Sequence, residues 1–155
     1  MIFTERNHLV VGLDPVADAF AGTVSSDVVS LKDYHHATFV VWWGVGATGT
    51  TLITVEACDD TTPTTTTAVA FRYRRYTSAD TAAALTAAAA AGFTTTAGSA
   101  QRYVVEVDSD ALAPTGYSYA RLTCVEDVNS PILGGILIIL SEPRYATTSP
   151  GTAVT

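Results

Sequence analysis

The sequence predicts an all-β fold, an antiparallel β-sandwich of Greek-key or jelly-roll-like kind with about seven or eight strands, and three observations predict it. Runs rich in Val, Ile, Thr, Tyr and Phe recur along the chain. Clusters of Gly, Pro, Asp, Asn and Ser separate them, as turns separate strands. Several runs alternate in the two-residue period of a strand with one face buried.

From the N-terminus, Met1 to Phe20 reads as an arm or first strand. Its apolar run from His8 to Leu13 is broken at Asp14-Pro15, because proline restricts its predecessor and donates no hydrogen bond. Glu5 and Arg6 precede that run, without the order of regions that marks a secretion signal. Val24 to Leu31 gives a short strand.

Tyr34 to Asp60, YHHATFVVWWGVGATGTTLITVEACDD, follows as the central stretch. Two apolar runs, Thr38 to Trp43 and Leu52 to Cys58, flank Gly44, Gly46 and Gly49, which predicts two antiparallel strands joined by a turn. Its length without charge approaches the roughly 20 residues of a membrane helix. The Gly-Val-Gly-Ala-Thr-Gly-Thr-Thr centre disfavours such a helix through glycine entropy and threonine branching.

Asp59 to Thr67 is a threonine-rich loop, and Ala68 to Tyr76 resumes a strand with Phe71, Tyr73 and Arg75 on one face and Arg72, Arg74 and Tyr76 on the other. Ser78 to Ala91 is rich in alanine, the best helix former, and Ser78 is a candidate cap, so a short helix is expected there. Little but Leu85 would anchor it, and an ordered loop is the alternative. Gln101 to Val107 and Tyr117 to Val125 alternate as strands around the turn from Asp108 to Gly116. Ile132 to Leu140 is a continuous apolar run that fits a central strand. The resulting division is an arm over 1–20, a sandwich over 21–141 and a tail over 142–155, the last with little to bury.

The chain has 155 residues, enough for one domain with its own core. It is 48% hydrophobic and only 15% charged, so its polar surface must come largely from Thr, Ser, Gly and Asn, which suits packing against other protein. A net charge of -7 argues against a protein held to nucleic acid by phosphate contacts. The FRYRRY segment is read instead as a strand with a charged outer face.

Few residues invite chemistry. His35 and His36 are adjacent, so on a strand they face opposite ways and cannot share one ion, and His8 is remote. Asp59, Asp60, Asp108 and Asp110 could gather only if their loops met, and they lack the spacing of a defined calcium loop. No metal, cofactor or catalytic residue is assigned. Cys58 and Cys124 lie in apolar runs and are expected to be reduced core thiols. Trp42 and Trp43, adjacent on a strand, should send one ring inward and the other outward, where an indole anchors a protein contact.

The order GTVSSDVVSL, YHHATFVVWWGVGATGTTLITVEACDD, GFTTTAGSAQRYVVEVD, GYSYARL and SPILGGILIIL resembles small structural proteins of tailed-bacteriophage heads. In particular it resembles capsid decoration, or cement, proteins of β-sandwich type, over most of the chain from about Gly22 to Leu140. The resemblance implies a non-enzymatic protein made in the host cytoplasm. It would bind the outside of the virion capsid as a dimer or trimer and brace contacts between major capsid protein subunits. On that footing the arm and tail are expected to reach the partner, with Phe3, Leu9, Val10, Phe20, Trp43, Pro143 and Tyr145 as interface residues. A sugar- or receptor-binding module of a virion or tail, carried by Trp42 or Trp43 and the Tyr-rich strands, is the alternative.

Overall fold

The computed structural model describes residues 2–44, 48–77, 79–98 and 100–145. The seven longest strands are β1 (His8–Val16), β4 (Tyr34–Trp43), β5 (Thr50–Cys58), β7 (Phe71–Tyr76), β10 (Gln101–Asp108), β11 (Tyr119–Val128) and β12 (Gly134–Pro143). Between them lie short pieces: β2 (Thr23–Ser25), β3 (Val29–Ser30), β6 (Thr66–Val69), β8 (Thr86–Ala88) and β9 (Phe93–Thr94). One short helix, α1 (Ser109–Leu112), follows β10.

These strands build the predicted sandwich. The first sheet runs β1-β12-β4-β10-β7-β8; the second runs β2-β11-β5-β6, with β3 on β11 and β9 on β5. All the pairings are antiparallel. Alternation decides the filling between the sheets: Ala37, Phe39, Val41 and Trp43 from β4 meet Ile53, Val55 and Ala57 from β5, and all seven are fully buried. Tyr103, Val105, Leu122, Ile138 and Leu140 complete the layer.

The expected hairpin of the two central runs is not there. β4 bonds to β10 and β12, and β5 bonds to β11, β6 and β9, so the two strands lie in opposite sheets. Each run is apolar enough to be central in its own sheet: β4 has both edges occupied by strands far away in sequence, and β5 has distant β11 on one edge and the next strand, β6, on the other. Gly49 serves close approach: a side chain there would collide with Ile132 and come within 2.7 Å of the Ser130 carbonyl. The expected role of Gly46 as a turn residue lies outside the described residues.

Of the two readings of the N-terminal stretch, an arm or a first strand, His8–Val16 takes the second. β1 pairs with β12 from His8↔Leu140 to Val16↔Gly134, with register shifts around Gly12 and Asp14-Pro15 where the edge is interrupted. Phe20, 2% exposed, stacks on Trp43 at 4.5 Å between ring centroids. In the alanine-rich segment the described residues include β8 and an isolated bridge from Ala82 to Tyr76, and no helix. Tertiary pairing with β7 overrides helix propensity where the helix would have had almost nothing to bury. Ser78, the expected cap, lies outside the described residues.

Among the described residues the α-helix, α1, falls in the expected turn after Asp108 and buries Leu112. At the other end of the chain the last strand continues to Pro143, which pairs with Tyr34 beyond the reach of β1. The expected tail therefore begins inside a strand, and its residues 146–155 lie outside the described residues. No helix among the described residues is long and apolar enough to cross a membrane.

Candidate binding surface

Pairing register fixes what the first sheet turns outward. Leu9, Ile139, Thr38, Glu106 and Arg72 stand in one row across β1, β12, β4, β10 and β7. Val11, Leu137, Val40, Val104 and Arg74 form the next, and Trp42, Arg102 and Tyr76 the one after. One half of this face is thus apolar and the other carries arginine. Exposure is high for side chains of this type, at 45% for Leu9, 55% for Val11 and 55% for Trp42. Exposed apolar side chains grouped in this way suit contact with another surface.

The third row is an organised group. The Arg102 guanidinium lies 5.3 Å from the centre of the Trp42 ring and 5.9 Å from that of Tyr76, with a bond from Nη2 to the Ala79 carbonyl. Cation–π contact on two rings holds the guanidinium without neutralising it. Trp, Tyr and Arg are the residue types that dominate binding energy at protein interfaces.

At the end of the sheet remote from Trp42, Phe3 and Pro143 line a cleft of about 520 Å³ with Ile2, Arg6, Asn7, Ser141 and Glu142. A 3-10 turn over Phe3–Glu5 leaves Phe3 54% exposed, and Tyr145 is 68% exposed. Phe3, Leu9, Pro143 and Tyr145 are therefore open to a partner. Three expected interface residues are not. Phe20 and Trp43 are core, and Val10 turns inward beside Ile138 and packs on that core. The outward tryptophan is Trp42. Its parity with Thr38 and His36, two polar positions of the same strand, was the available signal, weakened by His35 on the other parity.

The remaining polar candidates are engaged locally. His36 Nδ1 and Asp108 Oδ1 are 2.7 Å apart across β4 and β10, and His35 Nδ1 lies 3.4 Å from Ser109 Oγ. Asp59 accepts from the Thr64 hydroxyl at 2.9 Å and its amide at 3.1 Å, which holds its carboxyl below the usual carboxylate range. That is turn chemistry. Among the described residues, no three of His, Cys, Asp and Glu stand together in a way that could hold a metal ion. Cys58 and Cys124 are free buried thiols, and burial pushes them up to about 11 and about 12.

The outward side of the second sheet carries more paired polar groups, beside the exposed Val125 and Val128 of β11. Arg121 donates to Glu56 across β11 and β5 at 2.8 Å, and Ser25 and Thr123 share a hydroxyl–hydroxyl bond at 3.2 Å. Thr54 donates to the Thr123 carbonyl.

Comparison with known proteins adds little. The chain matches no protein-family model and no curated protein. Among solved structures it is similar to a chain in the structure of infectious bursal disease virus, Gx strain, at 12% identity and a TM-score of 0.26. The match covers 90% of this chain and 42% of that one.

Proposed function

We propose that this chain is a non-enzymatic structural protein of a phage virion that binds the outer surface of the capsid and stabilises contacts between major capsid subunits. The observation that carries this reading is the outward face of the first sheet, where Leu9, Val11, Leu137 and Trp42 are exposed side by side in register with arginines. The sequence resemblance to decoration proteins supplies the kind of partner. Binding to the assembled shell stabilises it by mass action, since only the assembled state offers the whole site. The chain is made in the host cytoplasm, joins the particle from outside, and assembles there as a dimer or trimer.

Copy number and radial position in purified particles, measured by quantitative mass spectrometry and electron microscopy, test this reading. Hundreds of copies on the outer shell support it, and absence from the particle sinks it.

The exposed indole of Trp42 favours a second reading, a sugar- or receptor-binding module. Sugars stack on open ring faces, and here Arg102 stands over the ring. This reading expects a change in tryptophan emission on titration with glycans and only a handful of copies at one site of the particle.

A further inference from the structure

We propose that the outward face of the first sheet docks an acidic protein surface, with Arg72, Arg74 and Arg102 meeting carboxylates while Val11, Leu137 and Trp42 meet apolar side chains. This rests on the reading of the chain as a binding protein and adds the chemistry of what is bound.

Charge complementarity is the argument. The chain has eight cations and fifteen acidic residues. Three of those cations stand on the outward side of β7 and β10, with Glu106 and Asp108 on the same side of β10, and Asp108 is engaged by His36. The other five share the rest of the chain with thirteen carboxylates. The face is thus the positive exception on an acidic molecule. Among the described residues Arg121 pairs with Glu56 and the His36 ring lies beside Asp108, while Arg72 and Arg74 have no carboxylate within 4.0 Å. Arg74 is half-buried in the row of Val104 and Val40. Its planar guanidinium can take an incoming carboxylate in a two-bond pair, which a lysine cannot.

A single-stranded nucleic acid is the competing occupant, because aromatic rings and arginines on a sheet can bind bases and phosphates. Two features favour protein. Arg102 lies over both Trp42 and Tyr76, where bases would stack. A polynucleotide would also leave the Leu9, Val11 and Leu137 half of the face uncovered, whereas a protein surface covers both halves.

The test uses the full chain and three fluorescein-labelled probes: a short peptide alternating glutamate with valine, its lysine counterpart, and an oligothymidylate of equal length. Anisotropy gives affinity, and the emission of Trp42, absent in Trp42→Phe, reports contact at the face. We expect the glutamate peptide to bind at least about tenfold more tightly than either other probe, to weaken with added salt, and to lose about tenfold in R72E/R74E. Should that variant fail to melt cooperatively, R72Q/R74Q replaces it with the same expectation. Equal affinity for the two peptides, unchanged binding by the arginine variant, or preference for oligothymidylate overturns the proposal. No particle enters this experiment, so its failure is separable from a failure to find the chain in virions.

Discussion

The two sheets share one core and differ in what they do with their backs. On the second sheet most outward polar groups find one another, Arg121 with Glu56, Ser25 with Thr123, Thr54 with a neighbouring carbonyl, and Val125 opposite Leu52 is an exposed apolar position among them. On the first, exposed apolar side chains stand beside arginines, two of which have no carboxylate in reach among the described residues. A satisfied surface gains little by being covered, because contact must replace bonds already made. An unsatisfied one gains both apolar burial and charge pairing. This contrast is the ground on which the first sheet is proposed as the binding face, and the variants below test it.

The largest effect that sharpens the contrast separates the adjacent tryptophans. Trp43→Ala should cost about 3–5 kcal/mol of unfolding free energy, because it empties a core site stacked on Phe20. Trp42→Ala, on the opposite side of the same strand, should stay within about 1 kcal/mol, allowing for its contact with Arg102. Denaturant titration of both variants checks this, and comparable losses would break the inside–outside assignment. In binding the order reverses: Trp42→Ala should weaken association with particles by about tenfold or more, as loss of a central aromatic anchor does.

Smaller effects belong to the second sheet. Thr123→Val removes the hydroxyl that Ser25 uses and should cost about 1 kcal/mol of stability with particle association unchanged. Glu56→Gln should cost about 1 kcal/mol or less, since the pair is partly hydrated at 24% and 19% exposure. A binding defect in either would assign a contact to the wrong sheet.

The smallest effect at neutral pH is chemical. With their thiols pushed up to about 11 and about 12, Cys58 and Cys124 stay protonated in the folded chain. The native protein should leave a thiol-specific disulfide reagent unreacted near neutral pH and react fully once unfolded. Because the folded values lie above the unfolded one near 9, this contribution to stability is complete below about pH 9. It is lost as pH rises through the folded values. Melting curves across that window check the sign.

Much of the fold was legible because it follows from period. The alternation in Gln101 to Val107 and the continuous apolar run before Pro143 became interior strands of the first sheet. Pairing was not legible, since neither Thr38 to Trp43 nor Leu52 to Cys58 encodes which distant strand takes its edges. A glycine-rich link can turn within a sheet or pass between two. The alanine-rich segment misled for a related reason: propensity is local, and the partner strand β7 is not. In the candidate surface, the outward set of β7 was readable as Arg72, Arg74 and Tyr76. Its junction with Arg102 and Trp42 required the register of three strands. Trp42 itself was within reach of the sequence, through its parity with Thr38 and His36.

The central claim is one of orientation, and a cryo-electron microscopy map of the particle with this chain in place tests it most directly. The account predicts that the β1-β12-β4-β10-β7 face, with Trp42 and Leu137, lies against the capsid shell while the Arg121–Glu56 side faces solvent. A map with the serine–threonine side against the shell and Trp42 in solvent would contradict it.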